Sequence, residues 1–257
     1  MTEEVRRVRT VIRASADAAG AYAAAEVAAT LNRVLAEADG ARLLLSTGES
    51  QFDVLRHLVR ADVEWARVDA FHLDEYIALP ETHPASFRRY LKERVADIVP
   101  LRMHYVDPSS EASLDELRQA VVSAPMDVAL VGVGENGHIA FNDPPADFET
   151  VEPYIVVDLD QACRAQQVRE GWFETTDDVP AQAVTMSVHE ILRARRVVSV
   201  VPHGPKAAAV RRLLTAEGVS ADLPASALLR HEDWSLVLDR MSAQFLPADI
   251  WKQCVVL

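Results

Sequence analysis

The chain has 257 residues, 49% of them hydrophobic, which suits one large α/β domain or two small ones with a sizeable core. Its formal net charge of −13 argues against nucleic acid, whose phosphates need clustered Lys and Arg, so an anionic ligand requires a local basic pocket. Two cysteines, Cys163 and Cys254, lie far apart; they make neither a disulfide framework nor a zinc spacing and suit a reducing cytosol.

The opening Met1-Thr2-Glu3-Glu4-Val5-Arg6-Arg7 lacks the apolar centre of a signal peptide. Apolar runs downstream are strand-sized, so no membrane span is expected and the setting reads as cytoplasmic. From Ala18 to Ala36 an Ala-rich stretch has helical periodicity, and Asp39-Gly40 closes it. Arg42-Leu43-Leu44-Leu45 reads as a strand covered on both faces. Ser50 to Arg60 is helical again, with Phe52, Leu55, Leu58 and Val59 on one side. Val68-Asp69-Ala70-Phe71 is a predicted strand and Pro84 to Ala96 a predicted helix. Asp127 to Val133 and Val197 to Val201 are further strands, the second followed by a helix from Pro205 to about Leu214. Ser235-Leu236-Val237-Leu238 is the last predicted strand. This alternation implies a doubly wound, mostly parallel sheet flanked by helices, in a chain with no visible domain boundary or repeat. Ligands of such folds sit outside the carboxyl ends of the strands.

Four clusters occupy those ends. Ser46-Thr47-Gly48-Glu49-Ser50-Gln51 follows the first strand. It is either a phosphate cradle of free N–H groups and hydroxyls or a plain turn with Ser50 as N-cap and Asp53 three residues on. His72-Leu73-Asp74-Glu75-Tyr76 sets two adjacent carboxylates beside a buried strand end. One of them could abstract a proton next to a carbonyl, unless the segment is a solvated acidic turn.

Gly132-Val133-Gly134-Glu135-Asn136-Gly137-His138-Ile139-Ala140-Phe141-Asn142-Asp143-Pro144 is the most informative stretch. Its glycine spacing matches a dinucleotide fingerprint. However, it lies mid-chain and runs into a polar loop instead of opening a helix in the first βαβ unit. A histidine with a carboxylate five positions later suggests an acid/base centre. Finally, Pro202-His203-Gly204-Pro205-Lys206 puts a cation in the first turn of a helix, opposed by the helix dipole. An anionic ligand or full solvation would each resolve that conflict. His189 and His231, without polar company, read as structural.

Together the clusters resemble the glucosamine-6-phosphate deaminase/isomerase family, which shares its fold with 6-phosphogluconolactonases. Asp74-Glu75-Tyr76 with Leu79-Pro80 and His83-Pro84, the Gly132–Pro144 loop, and Gly204-x-Lys206-Ala207 are similar to that family's motifs, in the same order. Arg164 and Arg169 resemble a pair of family arginines, the second binding phosphate. The resemblance implies a Rossmann-like fold of the deaminase/lactonase type and a single sugar-phosphate isomerase-like domain over residues 1–257. It also implies an aldose–ketose isomerisation with loss of ammonia. Asp74 would move the proton between C2 and C1. His138 would assist ring opening, supported by Asp143 and Asn136. Ser46, Thr47, Gly48, Ser50, Gly137, Arg169 and Lys206 would hold the substrate and its phosphate. Glu75, Tyr76 and Asn142 would stand behind them.

No metal or other cofactor is expected. The expected partner is a small-molecule sugar phosphate, with no nucleic acid and no membrane, and assembly into a homo-oligomer is left open. Three positions differ from the family pattern: Asn136 for an acid, Asp143 for a glutamate, and Glu49 for a glycine of the phosphate loop. The alternatives are a 6-phosphogluconolactonase-type hydrolase, whose loop continues differently after the Gly-His, and a non-catalytic sugar-phosphate sensor acting through a protein partner.

Overall fold

The computed structural model describes residues 8–257. The stretch 1–7, read above as lacking a signal peptide, lies outside them. The strands in chain order are β1 (Arg9–Arg13), β2 (Ala41–Leu45), β3 (Val68–His72), β4 (Asp74–Tyr76), β5 (Arg102–His104), β6 (Val128–Leu130), β7 (Tyr154–Asp158), β8 (Gln182–Met186), β9 (Val197–Val201), β10 (Trp234–Asp239) and β11 (Val255–Val256). The helices are α1 (Ala16–Leu35), α2 (Phe52–Leu58), α3 (Phe87–Leu91), α4 (Glu111–Val122), α5 (Gln161–Arg169), α6 (Val188–Leu192), α7 (Ala207–Leu214) and α8 (Ala248–Trp251).

Eight strands form one sheet in the order β11-β1-β10-β9-β6-β2-β3-β5, and every pairing in it is parallel. The doubly wound expectation is therefore met. Side-chain alternation divides the core: Leu43, Leu45, Val128 and Leu130 pack with α1 and α2, whereas Leu44, Ala129 and Val131 face α4, α6 and α7. From β2 the chain steps to β3 and β5 on one side. It then returns to β6 on the other side of β2 and continues to β9 and β10. The border between β2 and β6 is thus the topological switch point, where the strand ends splay and leave a crevice.

Several elements differ from the sequence reading. The predicted 84–96 helix starts at Phe87, because Ser86 caps it by accepting from Arg89 N, and it continues as a π-turn over Lys92–Ala96. The predicted 127–133 strand stops at Leu130, since the glycines that follow belong to a loop. β10 is not the last strand: the chain returns and adds β11 beside β1. A second, antiparallel sheet, β4-β8-β7, had no counterpart in the periodicity. It carries a satellite cluster of Tyr76, Phe87, Phe141, Phe173 and Ala183 over the strand ends. No helix among the described residues is long and apolar enough to cross a membrane.

α1 forms readily: Ser15 accepts from Ala18 N, Asp17 lies in the first turn and Arg33 in the last, and alanine fills its interior. Its small face lets α2 approach very closely. A Cβ built on Gly20 would lie 2.7 Å from Val54 N and 2.8 Å from Asp53 C, both backbone atoms. Gly→Ala in a helix interior ordinarily gains about 1 kcal/mol. Here the overlap is with backbone that carries the 46–51 loop, and overpacking costs about 1–3 kcal/mol. We expect Gly20→Ala to lower the urea midpoint of unfolding; an unchanged or higher midpoint would show that α2 can yield.

Candidate active site

A cleft opens over the carboxyl ends of β2, β3, β6 and β9, which are neighbours at the switch point. Among the predicted residues it is lined by Ser46, Thr47, Gly48, Ser50, Asp74, His138 and Lys206. Asn136, Gly137, Asn142, Asp143, Glu75, Tyr76 and Arg169 are not on its wall. Four segments separated by up to 160 positions in the chain supply one pocket, so the sheet order itself assembles the site.

Asp74 and Glu75 separate by strand alternation. β4 points successive side chains to opposite faces. Asp74 faces the cleft with its residue 4% exposed. Burial, and then the charge of Glu75, push its pKa well above the usual carboxylate range. Glu75 points the other way and is fully buried. It accepts from the backbone N–H of Tyr76 (3.0 Å), Phe87 (3.2 Å) and Arg88 (2.8 Å), and from Ser86 Oγ at 2.8 Å. Arg88 Nε lies 3.4 Å away. Burial raises the Glu75 pKa as well, with these hydrogen bonds opposing it. The N–H groups of Phe87 and Arg88 are orphan donors of the first turn of α3, so Glu75 is that helix's anchor. Tyr76 is core: its ring packs on Phe87, Phe141 and Phe173.

The loop after β6 wraps a histidine. A Cβ on Gly134 would collide with the His138 ring, so only glycine lets the imidazole lie across the backbone there. Gly137 has φ +92°, and a Cβ would strike Leu223, which fixes its role as conformational. Asn136 ties the turn together: its Oδ1 accepts from His138 N at 2.9 Å, and its Nδ2 donates to Asp143 Oδ1 at 2.9 Å. His138 Nδ1 lies 3.0 Å from the same Asp143 oxygen. Burial would raise the Asp143 pKa, but His138, Asn136 and the Cys163 thiol outweigh it and hold it below the usual value. Asn142 pins the loop to β8 by donating to Ile139 O and Met186 O, each at 2.9 Å. His138, Asp143 and Cys163 bring ligand atoms within 4.8 Å of one another, so metal-ligating chemistry is present at this point. Asp143 Oδ2 has no hydrogen-bond partner there among the described residues.

At the other end of the cleft, Ser50 is not an N-cap. It sits in a 3-10 turn, Glu49–Gln51, whose side chains make no capping bond, and Asp53 pairs with Arg56. Lys206 is not solvated: its side chain is 8% exposed and its Nζ lies 3.7 Å from Glu170 Oε1. Gln166 Nε2 donates to that same oxygen at 2.7 Å. Arg169 turns away from the cleft, is 55% exposed, and donates to Glu135 Oε2 at 2.6 Å. Arg164 donates to Thr176 O. Sequence reasoning had placed Glu49 in the candidate phosphate loop, but it missed Gln166, Gln167, Glu170 and Phe87 as wall residues and gave Phe141 no role. The one signal for Glu170 was its place next to Arg169. His231 is structural, with Nε2 2.7 Å from Ala194 O.

The family model for glucosamine-6-phosphate isomerases and 6-phosphogluconolactonase matches residues 14–237. A glucosamine-6-phosphate deaminase of Bacillus cereus (strain B4264) is 30% identical over 214 residues, covering 82% of this chain and 80% of its own. That of Exiguobacterium sibiricum is 33% identical over 215 residues, covering 81% and 82%. The solved structure of a monomeric glucosamine-6-phosphate deaminase superposes with a TM-score of 0.83 at 30% identity, over 91% of this chain and 99% of that one. A 6-phosphogluconolactonase of Trypanosoma brucei superposes with a TM-score of 0.74 at 16% identity, over 94% and 99%, a likeness of fold alone.

The two adjacent carboxylates should respond oppositely to removal. Glu75→Ala strands several buried donors and should lose at least about 2 kcal/mol in urea unfolding. Asp74 has a folded pKa above its unfolded one, so its ionised form opposes folding at every pH above the unfolded value. Asp74→Asn should therefore raise the midpoint of thermal unfolding at neutral pH. A fall in both variants would contradict this division of roles.

Proposed function

The chain belongs to the glucosamine-6-phosphate isomerase/6-phosphogluconolactonase family and is an enzyme of the glucosamine-6-phosphate deaminase type, and we propose that Asp74 and the His138–Asp143 pair carry its chemistry. The substrate is glucosamine 6-phosphate, taken with water to fructose 6-phosphate and ammonia. The observation that supports the residue roles most directly is a buried carboxylate with a raised pKa facing an imidazole backed by a carboxylate across one cleft.

Ring opening requires a proton to leave the anomeric hydroxyl and another to reach the ring oxygen. His138, with Nδ1 turned to Asp143, offers Nε2 for that exchange. The open-chain aldehyde then carries an acidic C2 proton. Asp74 removes it and returns it to C1, leaving a C2 imine that water hydrolyses to the ketone and ammonia. A base whose pKa is raised by burial is better matched to this step than an ordinary aspartate. Asn136 and Asp143 act through His138 by fixing its ring. Ser46, Thr47, Gly48, Ser50 and Lys206 are proposed to receive the phosphate, with hydroxyls, backbone N–H groups and one cation. All of these groups come from one chain, read here as a single sugar-phosphate isomerase-like domain. Its acidic charge and sparse cysteines support a cytoplasmic setting.

Purified protein incubated with glucosamine 6-phosphate should yield both ammonia and fructose 6-phosphate. Asp74→Asn should lose both products while still binding the sugar phosphate; an unimpaired Asp74→Asn would remove Asp74 from the mechanism. Asp74 must be ionised to act, so activity falls as pH drops through its raised pKa. The acid limb of kcat/KM should therefore lie well above 3.8, the ordinary value for an aspartate. Lys206→Ala should raise KM more than it lowers kcat, and an unchanged KM would take Lys206 out of the phosphate subsite. Neither product from a folded protein would direct attention to the phosphogluconolactone or to binding without turnover.

A further inference from the structure

The two cations that the sequence assigned to phosphate are already bound to carboxylates. Lys206 Nζ lies 3.7 Å from Glu170 Oε1, with both side chains nearly buried, at 8% and 13% exposure. Arg169 Nη2 donates to Glu135 Oε2 at 2.6 Å. Gln166 joins the two pairs: its Nε2 donates to Glu170 Oε1 at 2.7 Å, and its Oε1 accepts from the backbone N–H of Glu135 at 3.4 Å. Arg169, Glu135, Gln166, Glu170 and Lys206 therefore form one connected chain, whose last three members lie on the wall of the cleft.

The charge balance follows from this network. The formally charged side chains on the cleft wall are Lys206 and three carboxylates, Glu49, Asp74 and Glu170. A phosphate dianion entering beside Lys206 meets a cation whose field is already cancelled by Glu170, and the anionic Glu49 stands on the adjacent turn. We infer that Glu170 is a resident counter-anion of the phosphate subsite: it occupies Lys206 in the free enzyme and gives it up when the sugar phosphate binds. This rests on the deaminase reading for the identity of the incoming anion, but its physical content is a competition between a carboxylate and a phosphate for one lysine. Glu170 thereby sets how strongly an anion must bind to be retained. A ligand with a single weak negative group cannot displace a carboxylate that Gln166 also holds in place. A phosphate, with three acceptor oxygens and close to two charges, can. Glu170 is in this sense a specificity-determining residue of the site, acting through Lys206.

The test is direct binding of inorganic phosphate, measured by titration calorimetry on the full chain. Glu170→Gln keeps the size and the hydrogen-bonding edge that meets Gln166 but removes the charge. It should bind phosphate about tenfold more tightly than wild type, a change of about 1.4 kcal/mol. The gain should vanish in the Lys206→Ala background, because the competition is for that lysine. Glu170→Ala, measured in parallel, should shift in the same direction. Phosphate binding to Glu170→Gln that equals or falls below wild type would overturn the proposal, since a carboxylate that merely braces Lys206 gives that result. KM for glucosamine 6-phosphate should fall with the phosphate dissociation constant. If phosphate affinity rises but no ammonia is ever released, the counter-anion stands and the deaminase reading fails. If ammonia is released but phosphate affinity does not move, the reverse holds.

Discussion

The site depends on a buried carboxylate that lies off the cleft wall. Glu75 gathers three backbone N–H groups and the Ser86 hydroxyl into one place, and in doing so fixes where the chain leaves β3, enters β4 and turns into α3. A fully buried charge survives only when its acceptor capacity is filled. Filling it here consumes the otherwise orphaned first-turn donors of α3. Because β4 alternates, anchoring Glu75 on one face determines that Asp74 emerges on the other, in the cleft. Asp74 then receives the opposite treatment: burial and the neighbouring negative charge both raise its pKa. One carboxylate is filled with donors and structural, and the next, one step along the strand, faces the cleft.

The loop after β6 solves a related problem with different means. An imidazole must be held in one orientation without being locked away from the cleft. Gly134 removes the atom that would collide with the ring, and Asn136 bonds both the backbone beneath the histidine and the carboxylate that faces it. Asp143 has a shorter arm than the glutamate of the resembling family, yet its oxygen stands 3.0 Å from His138 Nδ1. The backbone of the turn supplies the reach that the missing methylene does not. Asparagine at 136 also suits this arrangement. A carboxylate there would set a second negative charge against Asp143, whereas the amide donates to it.

The strand–helix alternation and the parallel sheet were legible because buried parallel strands are continuous apolar runs, as in Leu43-Leu44-Leu45 and Val197–Val201. The glycine–histidine loop and the Asp74 segment stood out because their chemistry is costly to carry without a use. What could not be read was three-dimensional pairing. β4 has three residues and β8 mixes polar and apolar positions, so neither shows a period, and their antiparallel ladder depends on contacts more than 100 positions apart. Arg169 illustrates the same limit. Its identity fitted an anion site, but which anion it meets is decided by Glu135, from a loop 34 positions earlier. Glu170, beside it in sequence, reaches the pocket instead, because adjacent residues at the end of α5 face different directions.

These placements bear on how an acidic protein can hold an acidic ligand. A net charge of −13 opposes the approach of a sugar phosphate, and surface charge cannot serve as the attraction. In the reading proposed above, retention comes from a short-range site in which hydroxyls, backbone N–H groups and one nearly buried lysine act together where water is scarce. The same scarcity makes an unpaired lysine costly in the empty enzyme, so a counter-charge close at hand stabilises the free state. Glu170 supplies it at 3.7 Å, longer than a tight ion pair, with its oxygen shared with Gln166. A closer, bidentate pair would hold the lysine too firmly for a phosphate to displace, and no pair at all would leave a buried charge without compensation. The loose, shared contact lies between these limits, and it ties the stability of the empty cleft to the strength with which its ligand must bind.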